Sequence, residues 1–222
     1  MTIKITLPLL EAIEACAAVL PHVSKDRITP VITTASITGN TITATDRYTV
    51  GQFKLSVDIG DSEVLLPLEA VTWIARFVTK QLLDYDSGLI WQDPDNERGA
   101  KVIIEAPERH DIPNDRSEER TTLTIQVTGT RGVEQQRTFY NTAGNFPPVG
   151  RLIADHAAAE QAVPTQLKPE FIEKFTGYAK KWHRNSPIRV TFGKTDNPAK
   201  PGPALITVGK FAGLLQPNLL LR

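Results

Sequence analysis

The 222-residue chain has one cysteine, one methionine, three tryptophans and no excess of charge of either sign. A lone thiol, Cys16, excludes an intramolecular disulfide and fits a reducing compartment. Its neighbours Ala15, Ala17 and Ala18 mark it as a small buried side chain. Twenty-five Lys and Arg against twenty-five Asp and Glu leave no net charge, so any surface for nucleic acid or anionic membrane must be local. No stretch approaches the about 18 consecutive apolar residues of a membrane span. The opening Met1-Thr2-Ile3-Lys4-Ile5 lacks a basic segment ahead of an apolar one. A cytoplasmic protein with no membrane partner is expected.

Signs of catalysis are also scarce. His22, His110, His156 and His183 share no metal-ligand spacing with one another or with Cys16. Gly193-Lys194-Thr195 ends like a phosphate-binding loop, but Ile188 stands where the leading glycine belongs, so the cradle of backbone donors is missing. No nucleophile elbow, zinc-helix pair or dinucleotide turn occurs, and the carboxylates crowd into a polar stretch from Asp93 to Glu119. The chain is therefore read as a binding protein, not an enzyme, with no metal and no cofactor.

What the sequence does contain is a repeat. Leu7-Pro8-Leu9-Leu10-Glu11-Ala12-Ile13, Leu66-Pro67-Leu68-Glu69-Ala70-Val71 and Leu167-Lys168-Pro169-Glu170-Phe171-Ile172 each run an apolar strand into a helix. Proline is favoured at a first helical position, and apolar residues at helical spacing follow: Leu10, Ile13, Ala17 and Leu20, then Val71, Ile74, Val78 and Leu82. Strands are expected at Thr2–Thr6, Ile28–Ile37, Thr41–Thr45, Thr49–Val57 and Glu63–Leu66. Others are expected at Thr121–Thr128, Gln136–Asn141, Ile188–Phe192 and Ala204–Val208. Residues 92–120 read as an exposed excursion with one strand-like island, Lys101–Glu105, and the third helix as Pro169–Arg184 before a final apolar tail. The fold class is α+β, built from β-α-β-β-β units. Residues 1–150 make a complete domain of two units with the inserted loop at 93–120. Residues 151–162 make a linker and 163–222 a half-domain.

Two phrases carry a resemblance. Thr43-Ala44-Thr45-Asp46-Arg47-Tyr48-Thr49-Val50 and the closing Leu214-Leu215-Gln216-Pro217-Asn218-Leu219 resemble signatures of the bacterial DNA polymerase III β sliding clamp. Phe146-Pro147-Pro148-Val149-Gly150-Arg151-Leu152-Ile153 resembles that family's interdomain phrase. The resemblance implies a DNA-clamp fold in a shortened form such as a phage would encode. Residues 1–150 would correspond to the middle domain of a clamp subunit and 163–222 to the second half of its last domain.

The resemblance further implies an apolar groove that docks peptides of polymerases or other replication proteins. One wall would be Val31, Thr45, Arg47, Tyr48, Thr49, Val50 and Leu152, the other Leu215, Gln216, Pro217, Asn218 and Leu219. The family usually has methionine where Gln216 stands and often glycine where Arg47 stands. It also implies helices facing duplex DNA. Lys174, Lys181 and Arg184 fall on one helical face with Lys180 beside them, and Arg76 and Lys80 share a face of the second helix. Ring closure would require a homo-oligomer. The alternative is a decoy that holds replication factors in the same groove without DNA.

Overall fold

The computed structural model describes residues 2–26, 28–78, 100–107, 121–129, 132–142, 144–155, 167–183, 186–193 and 202–217. Strand β1 (Thr2–Pro8) turns at Pro8 into helix α1 (Leu9–Val19), which ends in a 3-10 turn through Pro21. The meander β2 (Thr34–Thr38), β3 (Thr41–Thr45) and β4 (Thr49–Lys54) follows, then β5 (Glu63–Pro67) and helix α2 (Leu68–Thr72). The chain continues from α2 in a wider π-type turn at Trp73–Val78. Strands β6 (Lys101–Pro107), β7 (Thr122–Gly129) and β8 (Gly132–Tyr140) precede helices α3 (Gly150–Asp155) and α4 (Pro169–Trp182). Strands β9 (Arg189–Phe192), β10 (Ala204–Val208) and β11 (Phe211–Leu215) complete the described elements.

Two antiparallel sheets result, of order β1-β6-β7-β8 and β5-β2-β3-β4-β11-β10-β9. The second joins the first and third units: β11 pairs with β4, Phe211 opposite Phe53, Gly213 opposite Gly51 and Leu215 opposite Thr49. The sheet thus runs through the boundary expected at 151–162, and α3 occupies the start of that stretch. One buried cluster takes in Ile5, Ile13 and Phe53 from the first unit together with Phe175, Tyr178 and Phe211 from the third.

Several expectations need correction. The island in the 93–120 excursion is a central strand: β6 lies between β1 and β7, with Val102, Ile104 and Ala106 buried on one face. Apolar alternation marks it as strand-like, but its pairing with β1 is long-range, so no local signal shows that it is central rather than exposed. The segment Ile28–Ile37 is not one strand, because Pro30 starts a 3-10 turn through Thr33 and β2 begins at Thr34. The apolar tail contains β11, a strand with neighbours on both sides. Helix α4 stops at Trp182.

Candidate functional site

At the β4–β11 junction the two faces of the sheet are built differently. Strand alternation sends Thr49, Gly51, Gly213 and Leu215 toward α1 and α4, and Val50 and Leu214 to the opposite face. On the helical side the His22 ring lies 4.8 Å from Phe175 and 5.8 Å from Phe211. A Cβ on Gly51 would stand 2.4 Å from the His22 ring, and one on Gly213 2.5 Å from Phe175, so the paired glycines make room for these rings. On the other face Val50 and Leu214 pack with Leu205 and with Ile153 of α3.

The turn between β3 and β4 is organised by Asp46. Its Oδ1 accepts from the Tyr48 and Thr49 amides, at 3.1 and 2.7 Å, and from the Thr49 hydroxyl at 2.9 Å. Its Oδ2 accepts from Lys174 of α4 in a largely buried ion pair. Burial alone would raise the Asp46 carboxyl, but Lys174 and the Thr49 donors outweigh it and hold it below the usual carboxylate range. Because the Thr49 hydroxyl donates to Asp46, His22 Nδ1 at 2.9 Å from that oxygen carries the proton and donates to it. The bare Nε2 of His22 then faces apolar surroundings, with no partner among the described residues. Burial, reinforced by Lys174 and opposed by Asp46, lowers the His22 pKa to about 3, so the imidazole is neutral.

Arg47 occupies the left-handed region at φ 74°, a conformation glycine adopts without cost. Its side chain turns outward to Asp26, 3.6 Å away, and to the Thr29 hydroxyl. Tyr48 is 61% exposed and stacks on Phe171 of α4, ring centroids 5.7 Å apart at 14°, with the Lys174 ammonium 5.5 Å from the Phe171 ring. The Gln216 amide donates to the Tyr48 carbonyl at 3.2 Å, tying the chain after β11 to this turn. An open pocket of about 430 Å³ lies beside the turn, walled by Pro21, Val23, Lys25, Arg47, Tyr48 and Lys174.

The expected peptide wall is therefore redistributed. Thr45, Thr49, Val50, Leu215 and Pro217 are buried and shape the surface from beneath. Thr45 donates to the Thr49 carbonyl at 2.9 Å, Thr49 serves Asp46, and Val50 lies under Ile153. Tyr48, Arg47, Gln216 and Leu152 (44% exposed) face solvent, with Val31 half-buried beside Gly144. Asn218 and Leu219 lie outside the described residues. Phe171, which sequence reasoning missed, backs Tyr48; the sole hint was its place in the third repeat phrase.

The expected DNA-facing set also changes. Lys174 is committed to Asp46, so it does not belong to an open basic stripe. Lys180 and Lys181 are exposed, but Glu170 and Glu173 are exposed on the same helix. Arg76 is exposed, while Lys80 and Arg184 lie outside the described residues. On α1, Glu11 is buried, bonded to the Ser56 amide at 2.9 Å and 3.7 Å from Lys210. Glu14 accepts from Tyr178 at 2.8 Å with His183 at 3.2 Å. Cys16 is buried as expected, which pushes its thiol up to about 12. Among the described residues no group of His, Cys, Asp and Glu could hold a metal ion, and no helix is long and apolar enough to cross a membrane.

No protein-family model matches the sequence and no curated protein matches it. Solved structures do. The DnaN sliding clamp of Bartonella birtlesii bound to griselimycin superposes with a TM-score of 0.59 at 11% identity, over 97% of this chain and 65% of that one. DNA polymerase III subunit β of Borrelia burgdorferi, in complex with a natural product, gives 0.60 at 9% identity over 98% and 64%. The Pseudomonas aeruginosa clamp bound to griselimycin gives 0.58 at 11% identity over 98% and 66%. The chain spans just under two thirds of the length of these clamps. Two antiparallel sheets, strand-helix corners and a sheet that joins the first and third units fit that likeness, and the chain has the fold of the bacterial DNA polymerase III β sliding clamps.

Proposed function

We propose that this is a clamp-like replication protein whose working surface is the Tyr48 turn and its surroundings, where it docks short apolar peptides of polymerases or other replication factors. One observation carries the reading. A large aromatic side chain is held exposed on a turn that is fixed from behind by Asp46, Lys174, Thr49 and Phe171. An exposed ring on a rigid turn loses little entropy when a ligand covers it, which is what a docking site needs. Leu152 on α3 adds exposed apolar surface. Affinity near micromolar, about −8 kcal/mol, suits such a small patch.

The mixed charge of α4 favours docking without DNA as the second reading. Sliding on a duplex needs a surplus of cations toward phosphates, and Lys180 and Lys181 share their helix with exposed Glu170 and Glu173. Fluorescence anisotropy with a Gln-Leu-x-Leu-Phe-like peptide tests the proposal. Saturable binding that falls at least about tenfold in Tyr48→Ala, the loss of one hot-spot aromatic, is expected. Equal binding by both proteins, or none by either, would remove this surface from function.

A further inference from the structure

The pocket beside the Tyr48 turn has a charge imbalance that docking of an apolar peptide leaves unused. Its cations are Lys25, Arg47 and Lys174, its carboxylates Asp26 and Asp46. Both carboxylates are already engaged: Asp46 by Lys174 and three donors from the turn, Asp26 by Arg47 and by the Ile28 amide at 2.9 Å. Lys25, exposed at the rim, makes no ion pair among the described residues. Pro21 and Val23 supply apolar surface, and Ile28 stands 87% exposed on the adjoining loop. A short aliphatic stem ending in a carboxylate matches that combination of apolar wall and surplus positive charge.

We propose that this pocket receives an aspartate or glutamate side chain of the docked peptide, its carboxylate between Lys25 and Arg47. The inference rests on the reading that a peptide docks over Tyr48, and it makes acidic sequence next to the apolar anchor a determinant of partner choice. Arg47 then has a role that a glycine at that left-handed position could not fill.

Two labelled peptides separate the questions. They share the apolar anchor and differ in one flanking residue, Glu in one and Gln in the other. The wild-type protein is expected to prefer the Glu peptide by about two- to fivefold at low salt, the range of an exposed ion pair. That preference is expected to fade as salt screens it. Lys25→Glu, at an exposed site, should abolish or reverse the preference. Arg47→Gly, which relieves the left-handed backbone, should diminish it. Equal affinity for both peptides in the wild type overturns the pocket assignment and leaves docking intact. A preference that survives both substitutions overturns it as well. Absence of binding by either peptide overturns the docking reading and this inference with it.

Discussion

Helices α1 and α4 begin alike and end in different surroundings. Both begin at a proline, yet α1 buries eight of its eleven residues and α4 only three of fourteen. The acids of α1 are consumed inside the molecule: Glu11 binds Ser56, and Glu14 binds Tyr178 and His183. The exposed part of α4 carries both signs, and its most buried lysine crosses to the Tyr48 turn. The spacing of charges along a helix therefore does not tell what those charges do. The partner across the interface decides, and here Lys174, expected to face DNA, pairs with Asp46 and ties α4 to the Tyr48 turn.

The contrast is largest on the buried face of α4. Phe175 is fully buried against His22 and Phe211, so Phe175→Ala is expected to cost about 3–5 kcal/mol in urea denaturation. Ile172→Ala, on the exposed side of the same helix, should cost under about 1 kcal/mol. Next comes the clasp. Lys174→Met leaves the Asp46 carboxylate half-buried without its cation, an expected loss of about 2–3 kcal/mol, accompanied by weaker peptide binding as the turn loosens. Lys181→Met, whose charge lies over the Trp182 ring at the surface, should change stability by under about 0.5 kcal/mol. Equal effects at the two lysines would dissolve the distinction between clasp and surface.

Acid should act on the buried side alone. His22 titrates near 6.5 in the unfolded chain and near 3 when folded, so below pH 6.5 the unfolded state takes up the proton first. Stability is full above that pH and falls as pH drops toward 3, by about 2 kcal/mol between pH 7 and pH 5. Asp46, held below its ordinary 3.8, adds a further loss in the same direction as pH falls below about 3.8. Chemical denaturation across this range checks the slope, and His22→Gln should flatten it above pH 5. A small effect of opposite sign belongs to the open face of α4. Gly177 has free space around it, so Gly177→Ala should stabilise by about 0.5–1 kcal/mol.

Much of the local structure was legible in the sequence. Strands β3 and β10 lie at their expected bounds, and the corners β1–α1 and β5–α2 form where proline and apolar spacing indicate, as does the start of α4 at Pro169. What escaped was long-range pairing. Strand β6 sits among charged residues, and only its partners β1 and β7 reveal that it is central. Strand β11 looked like a tail because its neighbour β4 lies in the first unit. At the site, the family-like phrase located the turn, but alternation along β4 hides Thr49 and Val50 on opposite faces. The Lys174 ion pair and the Tyr48–Phe171 stack join residues more than a hundred positions apart, which no periodicity can show.

The decisive comparison is between the two surfaces themselves, measured side by side at low salt with a labelled apolar docking peptide and a labelled DNA duplex. Saturable peptide binding lost in Tyr48→Ala, with no duplex binding affected by Lys180→Glu and Lys181→Glu, is the expected result. Salt-sensitive duplex binding that those two substitutions abolish, with no peptide binding at all, would contradict it and return function to the helical face.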